Sequence, residues 1–314
     1  PGIEALFEVA GKDHRLATAS DLGFIVGPRL NAAGRLDDMS VGIECLLADS
    51  TASARAKAEN LHALNRERRD IEQSMQTDAL AQLDALNLDQ ADLPFAMTLY
   101  DPNWHQGVIG ILASRIRERV YRPTLIFADS DEGMLKASGR SIPGLHLRDA
   151  LDQVAARHPG LLTKFGGHAM AAGLTLAKSD FGPFCEAINT VVADALDHAP
   201  PEPVAMSDGS LAPSDLTVPF AEQLEAGGPW GQHFAEPVFD NTFAVRRHRI
   251  VGEKHLKLTL ESGGIEVDAI AFNIDVDEWS AAPLTQLGAL YRLDINDYRG
   301  TRSPQLVIEA FWPH

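Results

Sequence analysis

The segment 53–86 most constrains how this chain can fold, because it contains neither glycine nor proline. Its apolar side chains recur close to every 3.5 residues, which predicts one amphipathic helix. At 1.5 Å per residue that helix is a rod of roughly 50 Å, longer than a small domain is wide. Its other faces carry arginine and lysine, so two interpretations stay open: a solvated surface helix, or a spacer between two domains.

After Pro94 the sequence alternates β-like and helical runs, the pattern of an α/β domain over residues 93–198. The β-like runs are 95–100, 124–128 and 134–137, and the helical runs are 108–120, 147–157 and 181–196. Three prolines in 199–205 then fix φ and remove backbone donors, which predicts a stiff linker.

The remaining residues, 206–314, carry β-like runs separated by turns, at 243–251, 256–260, 265–273, 289–296 and 305–311. Five short strands in such a length favour a small barrel of the oligonucleotide-binding (OB) fold. A β-sandwich is the alternative. The predicted fold class is therefore α/β plus all-β.

Composition limits what the chain can bind. Its 27 basic and 44 acidic residues give a net charge of −17, which disfavours nonspecific attraction to nucleic acid or anionic membranes. A polyanion must therefore meet local basic patches. The two cysteines are far apart and no apolar run is long enough to cross a bilayer, so we expect a cytoplasmic protein without membrane contact. The chain begins at Pro1 in what resembles mid-helix sequence, and we expect a piece of a longer protein.

Two loops are suited to binding phosphate. The segment 101–107 leaves a strand and enters a helix, whose first N–H groups and positive dipole end attract an anion. It contains His105, for which a structural role is the alternative. Further on, Gly166 and Gly167 permit a backbone that wraps a phosphate, with His168 as a donor; a tight turn with a packed histidine is the alternative.

A third candidate is the tetrapeptide Ser138-Gly139-Arg140-Ser141 at the end of a predicted strand. Hydroxyl and guanidinium groups this close together can hold a phosphate by neutral and charge-assisted hydrogen bonds. In isolation such a tetrapeptide is a weak motif.

The order of these motifs is more specific than any one of them. Along the chain they are Gly-Pro-Arg-Leu-Asn-Ala-Ala-Gly-Arg at 27–35, the long helix, Trp-His-Gln-Gly-Val-Ile-Gly at 104–110, Ser-Gly-Arg-Ser at 138–141 and Gly-Gly-His at 166–168. This combination, with the β-rich end, resembles the RecJ family of single-strand-specific 5′ to 3′ DNA exonucleases over essentially the whole chain.

The resemblance implies a domain order. Residues 1–50 correspond to the end of a DHH phosphoesterase domain and 51–92 to a connecting helix. Residues 93–198 correspond to the DHH-associated (DHHA1) domain, 199–205 to a linker, and 206–314 to an OB-type barrel that binds single-stranded DNA.

Members of that family hold Mn²⁺ or Mg²⁺ with aspartates and an Asp-His-His motif in the DHH domain. No Asp-His-His string occurs in this sequence, and the nearest, Asp13-His14-Arg15, lacks the second histidine. The resemblance therefore implies a metal in the full-length enzyme, while we expect this chain to hold none and to be inactive alone.

By the same resemblance, Ser138 and Arg140 bind the 5′-terminal phosphate of the strand, together with either Arg29 or Arg35. His168 is the expected catalytic residue beside the scissile phosphate. The other residues expected to contact the strand end or its backbone are Asn31, His105, Gly139, Ser141, Gly166 and Gly167.

The carboxy-terminal module is acidic overall, but five basic residues cluster within twelve positions: Arg246, Arg247, Arg249, Lys254 and Lys257. A basic strand pair is suited to tracking a phosphate backbone, and a solvated hairpin is the alternative. The nearby aromatic residues suited to base stacking are Phe243 and Phe272. We therefore expect phosphate contact more than base readout.

Three functions remain open at this point. The first is an exonuclease piece that binds single-stranded DNA, as a monomer, within DNA repair and recombination. The second is a non-catalytic module that docks a partner, such as a single-strand-binding protein or a recombination helicase. The third is a phosphodiesterase acting on oligonucleotides or cyclic dinucleotides.

Overall fold

The computed structural model describes residues 1–86, 92–131, 133–231, 233–252, 254–272, 274, 285–298 and 300–313. The chain divides into two compact units, an amino-terminal unit, Pro1–Pro203, and a carboxy-terminal unit, Val204–His314. The division falls inside the proline-rich segment 199–205. No helix of the described residues is long and apolar enough to cross a membrane.

The amino-terminal unit is mainly helical up to residue 86 and mixed α/β from residue 97 onward. Its α-helices are α1 (Gly2–Val9), α2 (Ala19–Asp21), α3 (Gly27–Leu36), α4 (Ser40–Leu46), α5 (Thr51–Leu86), α6 (Ile109–Val120), α7 (Leu147–Arg157) and α8 (Phe181–Ala195), and a π-helix, Leu22–Val26, joins α2 to α3. Its strands are β1 (Met97–Tyr100), β2 (Thr124–Asp129), β3 (Met134–Arg140), β4 (Lys164–Gly167) and β5 (Ala171–Ala177).

Helix α5 confirms the long helix predicted from the glycine-free and proline-free segment. It has 36 residues. One stripe of its side chains is buried against the short amino-terminal helices and then against α6: Ala54, Ala58, Leu61, Asn65, Met75 and Ala79. The predicted connecting segment extends to residue 92, and residues 87–91 lie outside the described part of the chain.

The strands form a mixed five-stranded sheet in the order β1-β2-β3-β5-β4. One face packs on α7 and α8 through residues such as Phe127, Leu174 and Phe184. The opposite face packs on α6 through residues such as Ile126 and Leu112. The α/β fold is thus confirmed, but strands β4 and β5 were not predicted, because their glycines and alanines are poor strand formers.

The carboxy-terminal unit confirms the barrel and shows that the β-sandwich alternative is wrong. It contains α9 (Val218–Gly227), β6 (Phe239–Val251), β7 (His255–Ser262), β8 (Ile265–Ala271), β9 (Gln286–Tyr298) and β10 (Thr301–Pro313). The strands close in the order β10-β8-β7-β6-β9. The predicted third run ends at residue 273, which lies outside the described residues.

The barrel is filled by side chains that alternate along its strands, since successive residues of a strand point to opposite faces. Leu256, Leu258 and Leu260 of β7 point inward and pack with Phe243 and Tyr291. Phe243, one of the two candidates for base stacking, is 1% exposed, so its ring is not available to a base. Phe272 is 52% exposed and remains a candidate for stacking.

Candidate nucleic-acid interface

Part of the sheet in the amino-terminal unit is left open. Ser138 of β3 lies opposite Gly173 of β5, which in turn lies opposite Gly166 of β4. All three residues lie on the face of the sheet that packs on α6, and Gly166 and Gly173 are exposed. Small residues therefore leave this row accessible between the helix and the sheet edge.

The next rows of the same face are basic. Arg140 lies opposite Ala171, and Lys136 lies opposite Thr175, which pairs with Lys164. Both lysines are exposed. Neither lysine was predicted as a site residue. Because side chains alternate between the two faces of a strand, Lys136 shares a face with Ser138, and this alternation could have identified it. The same reasoning could not identify Lys164, because its strand, β4, was not predicted.

Helix α6 approaches this row at a glycine. A Cβ atom at Gly110, in the first turn of α6, would lie 2.9 Å from Ser138 Oγ and 3.0 Å from Arg140 Nη2. The missing side chain therefore lets the helix start contact both groups. The Arg140 guanidinium donates to Ser138 Oγ at 3.1 Å and to the Gly139 carbonyl at 2.9 Å, which fixes its plane.

Arg35, at the end of α3, joins this group. Its Nη1 donates to the Gly107 carbonyl at 2.9 Å, immediately before α6. Burial lowers the pKa of Arg140, and the charges of Arg35 and Arg117 lower it further. We call Arg35, Ser138 and Arg140 the arginine pocket, a place where a bound anion would relieve repulsion between guanidinium groups.

Arg29 and Asn31 occupy other places. Arg29 is 7% exposed, and its Nη1 donates to the Ile25 carbonyl at 2.7 Å. Its Nε donates to His62 Nδ1 on α5 at 3.3 Å. Asn31 is exposed on α3. Of the two arginines left open by the sequence, Arg35 is the one whose charge acts on Arg140, whereas Arg29 contacts Ile25 and His62.

The tetrapeptide at the end of β3 divides between the two faces of the sheet. Gly139 points to the opposite face, where a Cβ atom would lie 2.8 Å from Leu147 Cδ2. Ser141 is fully buried, and its hydroxyl donates to the Leu145 carbonyl at 2.8 Å. Its backbone N–H donates to the Met170 carbonyl at 3.0 Å. Both polar groups of Ser141 are therefore engaged inside the unit.

His105 lies in the loop before α6, as predicted, and is exposed. Its Nδ1 accepts a hydrogen bond from the Gly107 N–H at 3.0 Å. A neutral ring therefore carries its proton on Nε2. The loop is further held by Gln106, whose side chain donates to the Asp129 carbonyl at 2.9 Å.

His168 lies in the turn that joins β4 to β5. The turn is closed by the His168 N–H, which donates to the Ala171 carbonyl at 2.8 Å. Gly167 has φ of +147°, and a Cβ atom there would collide with the backbone of Ala171 and Ala172. Gly166, Gly167 and His168 are all exposed at the edge of the sheet.

The predicted basic cluster of the barrel lies on β6, β7 and the turn between them, and carboxylates of neighbouring strands pair with three of its members. Arg246 donates from Nε to Glu261 at 2.6 Å, and its Nη2 also contacts that carboxylate. Lys257 lies 3.0 Å from Asp268, and Arg247 lies 4.0 Å from Glu266. Arg249 and Lys254 are exposed, and neither pairs with a carboxylate of the described residues.

Known proteins share both units. A DHHA1 domain model matches residues 93–194, and a RecJ OB domain model matches residues 207–310. The single-stranded-DNA-specific exonuclease RecJ of Dickeya dadantii is 51% identical over 315 residues, which are 100% of this chain and 55% of that relative. The chain belongs to the RecJ family. RecJ of Escherichia coli (strain K12) is 49% identical, with the same coverage of both chains.

Solved RecJ structures agree with this assignment. The crystal structure of RecJ in complex with Mn²⁺ from Thermus thermophilus matches with a TM-score of 0.79 at 29% identity. The match covers 100% of this chain and 44% of that one. The chain thus spans about half the length of the RecJ proteins that it matches.

A divalent metal ion needs several acidic or imidazole side chains close together. In the described ranges, no three His, Cys, Asp or Glu side chains come together in a group that could hold a metal ion. In the sequence string nearest to the metal motif, Asp13 instead forms an ion pair with Arg15 at 2.7 Å, which lowers the pKa of Asp13 to about 2. The described residues therefore do not fit the Mn²⁺ or Mg²⁺ of the solved RecJ proteins.

Proposed function

We propose that this chain is the strand-holding part of a single-stranded-DNA-specific 5′ to 3′ exonuclease, and that the arginine pocket binds the 5′-terminal phosphate. The observation that carries the proposal is the contact of Arg140 with Ser138 at the start of α6, where Arg35 donates to Gly107 and its charge acts on Arg140. A phosphate placed there would receive charge-assisted hydrogen bonds from two guanidinium groups.

Such a pocket would set the polarity of the reaction. A terminal phosphate monoester carries more negative charge and more free oxygens than an internal phosphodiester, so it gains more from a site with two guanidinium groups. With the end held, the following nucleotides would run across the open row of the sheet toward Gly166, Gly167 and His168. His168 is proposed to contact the scissile phosphate, and His105 the strand near α6.

The chain is proposed to bind DNA without cutting it. Hydrolysis in this family would require divalent metal ligands, and the described residues offer no group of them. We assign to this chain the holding and orientation of the strand, which lowers the entropic barrier of a reaction completed elsewhere.

The barrel is proposed as a second contact for the same strand, supported by its match to the RecJ OB domain. Arg249 and Lys254 are the basic residues best placed to contact phosphate, because the others already face carboxylates. Phe272 would stack on a base, with His255 packed on its edge at 5.2 Å between ring centroids.

We further propose a monomer that acts in the cytoplasm in DNA repair and recombination, where a single-strand-binding protein or a recombination helicase would be its partner. What supports a role on single-stranded DNA is the name of the RecJ relatives, single-stranded-DNA-specific exonucleases.

Arg140→Ala tests the arginine pocket. The unaltered chain is expected to bind a 5′-phosphorylated oligothymidine more tightly than the same strand with a 5′-hydroxyl, as measured by fluorescence anisotropy. Arg140→Ala should make the two affinities equal, because the hydrogen bonds to the extra charge are lost. Arg157→Ala is the matched control, since it removes one exposed, ion-paired arginine from the same unit. A preference that survives Arg140→Ala would refute the pocket.

A further inference from the structure

One face of α5 carries several cationic side chains that lie outside the arginine pocket. His62, Arg66 and Arg69 follow the spacing i, i+4 and i+7, which places their side chains on one side of the helix. This face adjoins the buried stripe of α5. His62 is half-buried, while Arg66 and Arg69 are exposed. We call these three residues the α5 basic face.

Arg29 fixes the orientation of His62 from behind. Its Nε and Nη2 lie 3.3 and 3.2 Å from His62 Nδ1. A guanidinium group can only donate, so Nδ1 is the acceptor, and the neutral ring carries its proton on Nε2. Arg29 itself is held by the Ile25 carbonyl at 2.7 Å. The histidine therefore presents an N–H donor at a defined position.

Three arginines act on the charge of His62. Burial lowers the pKa of His62, and Arg29, Arg66 and Arg69 lower it further. Among the described residues, no carboxylate lies within ion-pair distance of Arg66 or Arg69. Arg66 and Arg69 thus lack an ion-pair partner among the described residues, and Arg29, which holds His62, is buried.

Other cations of the same helix differ in this respect. Arg55 pairs with Glu59 at 3.0 Å, and Lys57 pairs with Glu44 at 2.5 Å. The unbalanced charge is therefore a local feature of the α5 basic face and does not extend along the whole helix.

We propose that the α5 basic face binds an internal phosphodiester of the single strand whose 5′ end lies in the arginine pocket. His62 would donate from Nε2 to one phosphate oxygen, and Arg66 and Arg69 would contact the same phosphate or the next. This inference rests on the proposed function. It gives α5 a binding role in addition to its packing against the amino-terminal helices and α6.

Both sites draw an arginine from the same helix, α3. Arg29 supports the α5 basic face, and Arg35 belongs to the arginine pocket, both on α3. Six residues of helix separate them by roughly 9 Å along its axis. Six residues also turn about 240° around the helix, so Arg29 and Arg35 point to different sides of α3 and a strand bound at both sites would pass around this helix.

The test compares two double variants of α5 in anisotropy titrations at several salt concentrations. The probes are oligothymidines with a 5′-phosphate or a 5′-hydroxyl. The variant R66A/R69A removes two charges of the α5 basic face, and R55A/K57A removes two balanced charges from the same helix. For R66A/R69A we expect the slope of log affinity against log salt to fall by about 1 unit, at about 0.7 per lost phosphate contact. R55A/K57A should retain the original slope.

The preference for a 5′-phosphate separates this inference from the proposed function. R66A/R69A should weaken the binding of both probes by the same factor and keep the preference for a 5′-phosphate. An unchanged slope in R66A/R69A, or equal losses in both variants, would overturn the inference while leaving the arginine pocket intact. Loss of the preference in R66A/R69A would place these residues at the strand end, which also contradicts the inference. If the unaltered chain bound neither probe, both proposals would fail.

Discussion

The two units present arginine in opposite ways. In the amino-terminal unit, Arg35 and Arg140 are partly buried and donate to fixed oxygen acceptors, and burial lowers the pKa of both. In the barrel, Arg246 and Arg247 are exposed and face Glu261 and Glu266. In the first arrangement burial and neighbouring arginines disfavour the charge, with Glu72 as an opposing charge on Arg35, whereas in the second each arginine faces a carboxylate.

This difference determines which unit contributes more to phosphate affinity and to selectivity for the strand end. A phosphate that enters the arginine pocket meets donors already in place, so little side-chain entropy is lost. A phosphate that binds on the barrel must displace a carboxylate from Arg246 or Lys257, or use the cations without such a partner. Exposed ion pairs are weak, about 0 to 1 kcal/mol, so displacement is feasible but adds little affinity.

Of the variants that test this comparison, Arg35→Ala should change the affinity for DNA most. Hydrogen bonds to charged groups contribute about 1.5 to 3 kcal/mol, so affinity for a 5′-phosphorylated strand should fall about 10- to 100-fold. Anisotropy titration measures this loss. Arg15→Ala is the control, because Arg15 is exposed and bound to Asp13 in the same unit. A loss of less than about twofold in Arg35→Ala would remove Arg35 from the pocket.

Arg249→Ala and Arg246→Ala should differ on the barrel. The first removes a cation that has no carboxylate partner among the described residues, so the salt slope should fall by about 0.7 unit. The second removes a cation bound to Glu261, and the slope should stay nearly unchanged. Equal reductions of the slope in both variants would show that the ion pair with Glu261 does not keep Arg246 from contacting phosphate.

Glu261→Gln should give the smallest effect, in the opposite direction. It removes the charge that Arg246 now balances, so Arg246 becomes available to phosphate and the salt slope should become steeper by up to about 0.7 unit. Salt-dependent titration of the same oligothymidine measures it. A slope that stayed the same in Glu261→Gln would show that strand binding does not reach Arg246.

The sequence alone predicted features that depend on local pattern. The long helix α5 follows from a segment without glycine or proline, and the barrel follows from short alternating strands between turns. Helix α9 was missed, although Thr217 caps it by accepting from the Phe220 N–H at 3.4 Å and Pro219 occupies its first turn. Those two residues are a recognisable start signal.

Features that depend on tertiary contact were beyond the sequence. Arg29 and Arg35 occupy the same helix, and only the packing of α3 against Gly107 and α5 separates their surroundings. The ion pair between Arg246 and Glu261 depends on a register shift in β6, between Val245 and Arg247. A pattern of alternation cannot locate such a bulge.

The most direct test of the account is a pair of assays on one sample of this chain. Anisotropy measures binding to 5′-phosphorylated and 5′-hydroxyl oligothymidine, and a nuclease assay with added Mn²⁺ measures cleavage of the same strands. A chain that holds the strand end without metal ligands should bind the phosphorylated strand more tightly and cleave neither strand. Cleavage that depends on Mn²⁺, or equal affinity for the two strands, would contradict it.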